Sequence, residues 1–348
     1  MITKMALLAT VLIFVLVAGA IYQTIGARRS ARRFPPPGEL IEAGGHRLHR
    51  VCAGSGAPAV LFEAGIAASS LSWTRVMPDV AAFARTCAYD RAGLGWSEPS
   101  RTSRSVDHMV AELRGVLAQA SIDGPAVLVG HSFGAFLVLV YAARYPADTA
   151  GLVLLDPPSE WQDMGPSRAR LLRRGVQASR LGGWLASVGV VRACLALLTG
   201  GAPGVPRHGV RVLGPTAVRT LEHLVGEVRK LPPETHPQVQ ALWCDPKCFR
   251  GMAEQLDALG EMGDAAGSVA TLADMPLAIV SGGDQPAEVT VRHRELARLS
   301  SRGRHVTAAK SGHWIHLDEP DLVVRVIREI VDEARVRLPG GPPSPCAS

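Results

Sequence analysis

Gly130-His131-Ser132-Phe133-Gly134 sets a serine between two glycines, directly after the apolar run Ala126 to Val129 and directly before the helix-forming run Ala135 to Arg144. A chain that turns this abruptly from strand into helix holds the serine in a strained conformation with its hydroxyl exposed, and the glycines let the two backbones approach closely. The helix that begins there points its first amides at the hydroxyl, so the amide of Phe133 is a candidate donor to an oxyanion. Serine is a weak nucleophile near neutral pH and needs a base, and the base needs an acid to orient it. Ser311-Gly312-His313 offers the base, His313, in a loop between the predicted strand His305 to Ala308 and a helix. The acid candidates are Asp284, in the turn Gly282-Gly283-Asp284 after the predicted strand Leu277 to Ser281, and Asp156, directly after the predicted strand Leu152 to Leu155. Together these residues point to acyl transfer through a serine.

The elements that must position them alternate along the chain. Ile41 to Ala43 and Arg47 to Cys52 flank Gly44-Gly45, a two-residue turn signal, so the soluble part opens with a hairpin. Ala59 to Glu63, Cys87 to Asp90, Ala126 to Val129, Leu152 to Leu155, Leu277 to Ser281 and His305 to Ala308 are short apolar runs suited to buried strands. Amphipathic helices fall between them, the clearest after Ser105, a predicted N-cap, with Val106, Met109, Val110, Leu113, Val116 and Leu117 on one face. This is the pattern of an α/β protein with a mostly parallel eight-stranded sheet covered on both faces. The alternation breaks between Pro157 and Met275, which reads as a helical insertion leaving the carboxyl end of a strand, where it would cover a site as a lid. The expected division is a basic-flanked anchor over 1–33, a Pro-rich spacer over 34–38, a core over 39–156 and 276–338, the lid over 157–275 and a frayed tail over 339–348.

These stretches resemble the α/β-hydrolase fold family from Glu39 to about Arg337. The resemblance rests on the strand ending in Glu63-Ala64-Gly65 with Trp73 downstream, on YDRAGLGWS from Tyr89 to Ser97, on GHSFG from Gly130 and on SGHWIHLDEP from Ser311. It implies a triad in the order Ser132, Asp284, His313, with Asp284 preferred for its place after the seventh strand and Asp156 at a position some members use. It also implies that the second oxyanion amide belongs to Ile66. Many members carry His-Gly where this chain has Ala64-Gly65 after Glu63, and Glu63 is expected to pair with Arg91 beneath the site rather than to read a cationic substrate. A serine nucleophile sets the chain apart from the haloalkane dehalogenases and epoxide hydrolases of this fold, which use aspartate, so an ester- or amide-type substrate is expected. The N-terminal features resemble a bacterial subgroup of membrane-anchored hydrolases of largely unassigned substrate.

That N-terminus carries most of the charge imbalance. The chain's formal net charge is +6, and Lys4, Arg28, Arg29, Arg32 and Arg33, with no acid before Phe34, account for five of it. A nearly neutral folded part argues against a nucleic-acid partner. Met5 to Ile25 is uncharged and as a helix would reach about 30 Å, the thickness of bilayer hydrocarbon. It reads as a single membrane span, with a cleaved signal peptide ending at Ala18-Gly19-Ala20 as the competing reading. The four arginines after it place the catalytic part on the cytoplasmic side by the positive-inside rule, at a bacterial inner membrane, with export as the alternative. Pro35, Pro36, Pro37 and Gly38 form a stiff spacer.

Other residues carry weaker signals. His316 follows His313 by three but has no accompanying ligand cluster, and Cys244 and Cys248 are spaced for neither zinc nor a redox pair, so no metal and no cofactor are expected. Six cysteines without regular spacing leave the redox compartment open. Trp96 and Trp161 are candidates for lining the acyl pocket, and equally for core. Arg168, Arg170, Arg173, Arg174 and Arg180 precede apolar Trp184 to Leu198, either a solvated helix followed by a core helix or a basic amphipathic lid that docks on anionic lipid and admits a lipophilic substrate. The expected function is hydrolysis of a small-molecule carboxylic ester by a membrane-anchored serine hydrolase. The alternatives are an amidase of the iminopeptidase type, with Glu160 and Glu63 as amine-binding acids, and a binding protein on the same fold.

Overall fold

Gly44 and Gly45 both adopt left-handed backbone, with φ of +67° and +83°, and so close the tight turn between β1 (Glu39–Ala43) and β2 (His46–Ala53). β3 (Val60–Glu63), β4 (Thr86–Tyr89), β5 (Ala126–His131), β6 (Thr149–Leu155), β7 (Leu277–Gly282) and β8 (Gly303–Ala308) complete one sheet in the order β1-β2-β4-β3-β5-β6-β7-β8. β1, β2 and β4 pair antiparallel; every other pairing is parallel. The eight strands expected from the apolar runs are therefore the eight observed. The computed structural model describes residues 2–120, 124–158, 165–199 and 227–337.

Both faces of the sheet are covered, as a parallel sheet requires. One face buries Leu61, Leu128, Leu152 and Ile279 beneath α3 (Val106–Gln119), α4 (Phe133–Arg144) and a long helix of the insertion. The other buries Phe62, Val129, Val153 and Val280 beneath α2 (Met77–Ala81) and the C-terminal helix Pro320–Arg337. α3 starts where its sequence predicts: the Ser105 hydroxyl accepts the backbone N–H of His108, and Met109, Val110, Leu113, Val116 and Leu117 are buried. Between β6 and β7 the chain leaves the sheet for α5 (Pro166–Ser187), α6 (Val190–Thr199), α7 (His236–Trp243) and α8 (Pro246–Gly267). α5 and α8 pack together along their length, with Gly182 against the Phe249 ring and Gly175 against Leu256. After β7 come α9 (Ala287–Ala297), α10 (Ile315–Asp318) and α11 (Pro320–Arg337).

The N-terminal apolar run is one helix, α1 (Ile2–Arg33), long and apolar enough to cross a membrane. Its first half stands clear of the body, but the last turns of the run do not. Gln23 is buried; its amide donates to the carbonyl of Cys244 at 2.7 Å and accepts from Arg192 Nε at 2.9 Å, and Arg192 also donates to Ser30 Oγ at 3.1 Å.

Cys52 and Cys87 face each other across β2 and β4 and are joined by a disulfide. Closing the 35-residue separation between them stabilises the fold by roughly 3–4 kcal/mol through the unfolded chain's lost freedom. Among the described cysteines, alkylation of the denatured, unreduced protein is expected to modify Cys194, Cys244 and Cys248 and to spare Cys52 and Cys87, as read by peptide mass mapping. Modification of the pair at full stoichiometry would show them to be thiols.

Candidate functional site

Ser132 has φ +52° and ψ −119°, a conformation an L-residue adopts only under constraint. The constraint comes from both sides. A Cβ on Gly130 would lie 2.6 Å from the Ala135 Cα, and one on Gly134 would lie 2.4 Å from the Glu63 carbonyl oxygen, so neither position admits a side chain. The Ser132 N–H donates to the Leu155 carbonyl at 2.9 Å, tying the turn to β6. Phe133 is the first residue of α4, and its amide is among those at a helix N-terminus that lack an intrahelical partner.

Gly65 packs directly on this turn: a Cβ there would meet Ser132 Cβ at 3.6 Å and His131 Nδ1 at 3.0 Å, and Ile66 is the next residue along. The loop carrying Ile66 is held from below by Arg91. This guanidinium, 2% exposed, pairs with Glu63, 1% exposed, and donates to the carbonyls of Ala64 and Gly65 and to Gln255 Oε1 at 2.9 Å. The Tyr89 hydroxyl donates to the other Glu63 oxygen. Glu63 is thus engaged by Arg91, as its neighbours in sequence predict. Gln255 also accepts the Ala67 N–H at 3.4 Å, so an insertion helix supports the loop.

His313 lies on the loop between β8 and α10, at the carboxyl edge of the sheet. Gly282 and Gly283 make room for this loop: a Cβ on the first would sit 2.5 Å from the Gly312 carbonyl oxygen, and the Gly283 N–H donates to Ser311 at 2.8 Å. The His313 ring lies 4.6 Å from that of His131, whose Nε2 bonds the His313 carbonyl at 2.9 Å. His131 in turn stacks on His316 at 4.5 Å, and His316 on Trp73 at 4.7 Å. Burial pushes the His316 pKa down to about 3, with the charges of His313 and Lys230 adding to the effect, so this ring is a neutral packing group.

The acid nearest His313 is Asp156. Its Oδ2 lies 2.7 Å from His313 Nδ1 and accepts Gln285 Nε2 at 2.7 Å. Asp156 is buried at the exit of β6 with φ +42°, and its own N–H is held by the Val280 carbonyl at 2.8 Å. Asp284, preferred from the sequence, is exposed and lies against Gly312, 2.7 Å from where a Cβ of that residue would stand. The placement therefore favours the alternative acid over the preferred one. The physical reason is that β6 and β7 are neighbours in register, Leu155 opposite Val280, so their exits open at the same edge and either aspartate is within reach. The turn after β7 directs the next residue, Gln285, inward.

Trp96 is half-buried, packs against the apolar cluster of Leu71, Leu231, Val239 and Trp314, and donates its indole N–H to the Phe34 carbonyl at 3.0 Å. Trp161 and Glu160 lie outside the described residues. Among the described residues no cluster of three or more His, Cys, Asp or Glu could hold a metal ion. Gln255, Gln285 and His131 were not anticipated; only His131 had a signal, its place inside the GHSFG stretch.

A cavity of about 20 Å³, room for about one water, lies between the Ala67-Ala68-Ser69 loop and the insertion residues Glu227, Leu231 and Trp243. Glu227 is buried there and accepts the Ser72 hydroxyl. Burial raises its carboxyl from the ordinary 4.5 to about 7, the Ser72 bond opposing. A raised pKa means the folded protein holds this proton more tightly than the unfolded chain, so the stability it contributes is complete below pH 4.5 and is lost as the pH rises to about 7. Glu227→Gln is expected to remove a fall of roughly 3 kcal/mol across that window, measured by urea unfolding at a series of pH values; an unchanged pH profile would contradict it.

Comparison with known proteins gives a consistent result. A family model described as alpha/beta hydrolase fold matches residues 58–179. The chain is 39% identical over 112 residues to an uncharacterized protein, YqjL, of Bacillus subtilis, covering 32% of this chain and 44% of that one. It is 34% identical over 122 residues to a 2-hydroxy-6-oxo-2,4-heptadienoate hydrolase of Pseudomonas putida, covering 34% and 44% respectively. The match spans less than half the length of either relative. Among solved structures, a thermophilic esterase from Thermogutta terrifontis superposes with a TM-score of 0.62 at 18% identity, over 85% of this chain and 99% of that one.

Proposed function

We propose, from the premise that the chain belongs to the α/β-hydrolase fold family, that it is a serine hydrolase cleaving a carboxylic ester through an acyl-enzyme. The observation that carries this reading is the strained Ser132 heading α4 at the same sheet edge as a histidine–carboxylate pair, His313 and Asp156, 2.7 Å apart. The carboxylate accepts the proton on His313 Nδ1, which leaves Nε2 as the base. Nε2 takes the Ser132 proton as Oγ attacks the carbonyl, and the Phe133 and Ile66 amides stabilise the oxyanion. The imidazolium returns its proton to the departing alcohol, and water then repeats the sequence to release the acid. The insertion is the lid and α1 the membrane anchor. The disulfide supports an exported catalytic part over a cytoplasmic one, because cytosolic thiols are kept reduced; the arginines after the span then lie at the outer headgroups.

The test is fluorophosphonate labelling together with turnover of p-nitrophenyl esters of graded chain length, amino-acid amides and a 2-hydroxy-6-oxo-dienoate, beside a Ser132→Ala control. Turnover of the esters alone supports the reading, and turnover of the dienoate alone replaces it with carbon–carbon cleavage. Glu227 favours one second reading. An amine-bearing amide substrate that displaced the Ser72 hydroxyl would pair with this carboxyl in place of Glu63 or Glu160, and Glu227→Gln would then abolish amidase activity.

A further inference from the structure

α1 and the insertion are built as one unit, and their joint geometry fixes what lies at the membrane surface. Gly19, Gln23, Gly26 and Ser30 follow one face of α1 at spacings of four, three and four, and all four meet the insertion. The two glycines allow the contact: a Cβ on Gly19 would lie 2.2 Å from the Val188 carbonyl oxygen, and one on Gly26 would lie 2.5 Å from the Arg192 side chain. Gly189 packs from the other side on Gly19 and on the Tyr22 ring.

The length of α1 now sets a depth. About 20 helical residues are needed to cross some 30 Å of hydrocarbon, and the uncharged run that starts at Met5, after Lys4, therefore reaches its far boundary at about Thr24. The exposure of the helix agrees. From Thr3 to Ala18 only Leu16 is even partly covered, and beyond that Ile21 and Ile25 stay exposed on the side away from the body. The first polar ties, through Gln23, lie at the boundary. Val188 and Gly189, in contact with Gly19 and Tyr22, consequently lie within about a turn and a half of that boundary, on its membrane side. The residues around them are exposed and apolar where water would select otherwise: Leu181 is 57% exposed, Trp184 54% and Val190 41%. Farther back along α5 the exposed side chains include Arg170, Arg173 and Arg174, with Leu171, Gln177 and Ala178 among them, and Arg180, beside Leu181, pairs with Asp257 at 3.4 Å. Apolar residues and a tryptophan nearest the boundary with arginines behind them is the order in which a bilayer presents chains and then anionic headgroups.

We infer that the tip joining α5 to α6, with Leu181, Trp184 and Val190, is a membrane-contact surface that seats in the interfacial layer of an anionic bilayer beside α1. The inference rests on the reading of α1 as an anchor. It places the lid at the lipid surface, where an ester with a long acyl chain partitions.

The full-length protein is reconstituted into vesicles of phosphatidylcholine and phosphatidylglycerol, with and without lipid brominated at shallow chain positions, and its tryptophan emission is compared with that of Trp184→Phe. The emission lost in the variant is that of Trp184, and brominated lipid is expected to quench it by about twofold or more, as for an interfacial tryptophan. No quenching of that component, in protein that stays with the vesicles in alkaline carbonate, would overturn the inference while keeping the anchor. Protein released by carbonate would overturn the anchor reading and the inference with it. A Leu181→Glu, Trp184→Glu double variant is expected to lose about tenfold in turnover of a long-chain ester held in vesicles and to retain turnover of a soluble short-chain ester. Equal retention of both would count against the tip.

Discussion

Ser132→Ala abolishes fluorophosphonate labelling and lowers kcat by about 10⁴- to 10⁶-fold, while circular dichroism and the unfolding midpoint stay close to those of the parent. The size follows from the chemistry, since without Oγ there is no acyl-enzyme and only the oxyanion donors act on a water attack. The fold survives because Ser132 is only partly buried and the constraints on its turn come from Gly130, Gly134 and the bond of its amide to Leu155. Alanine at φ +52° keeps the strain of the parent and adds none. Full activity in the variant would remove Ser132 from the chemistry and leave the turn as architecture.

Asp156→Asn is expected to lower kcat by about 10⁴-fold, and Asp284→Asn to leave it within about twofold. An amide at position 156 donates as readily as it accepts, so the ring of His313 can turn its protonated nitrogen toward the serine and lose its base. Asp284 makes no such contact, and as an exposed residue its neutralisation alters little. The comparison is read from kcat at saturating substrate for the two variants expressed side by side. The reverse order of effects would return the acid to the exit of β7 and would require the β7–α9 turn to rearrange in solution.

Much of this arrangement is legible in the sequence because its causes are local. Eight apolar runs bounded by turn residues are eight strands, Gly44-Gly45 is a hairpin turn, Ser105 is a cap, and the two glycines around Ser132 mark a sharp strand-to-helix turn. What was not legible depends on contacts distant along the chain. Asp156 and Asp284 differ by which of two adjacent strand exits points inward, and that is decided by the packing of the β7 turn on Gly312 and by the bond of Gln285 to Asp156, both contacts between segments far apart in the chain. Gln255 reaches the loop of Ile66 from 164 residues beyond Arg91, and nothing in its own sequence surroundings marks it. The docking face of α1 has a faint signature, small and polar residues at spacings of three and four within an apolar run, which a reading for membrane spans passes over because it averages round the helix.

The bond between Gln255 and the Arg91 clamp sets how strongly each part of the insertion is coupled to the site. α8 shares a guanidinium with the carbonyls of Ala64 and Gly65, so a shift of this helix is transmitted to the oxyanion loop, and changes there trade directly against turnover. α5 lies against α8 along its length and reaches the clamp only through that packing, while α6 is tied to α1 through Arg192. The enclosure over the site is thus coupled in grades, from α8 on the clamp through α5 to α6 on the anchor, and adaptation to new membranes disturbs the oxyanion loop least where it falls on α6.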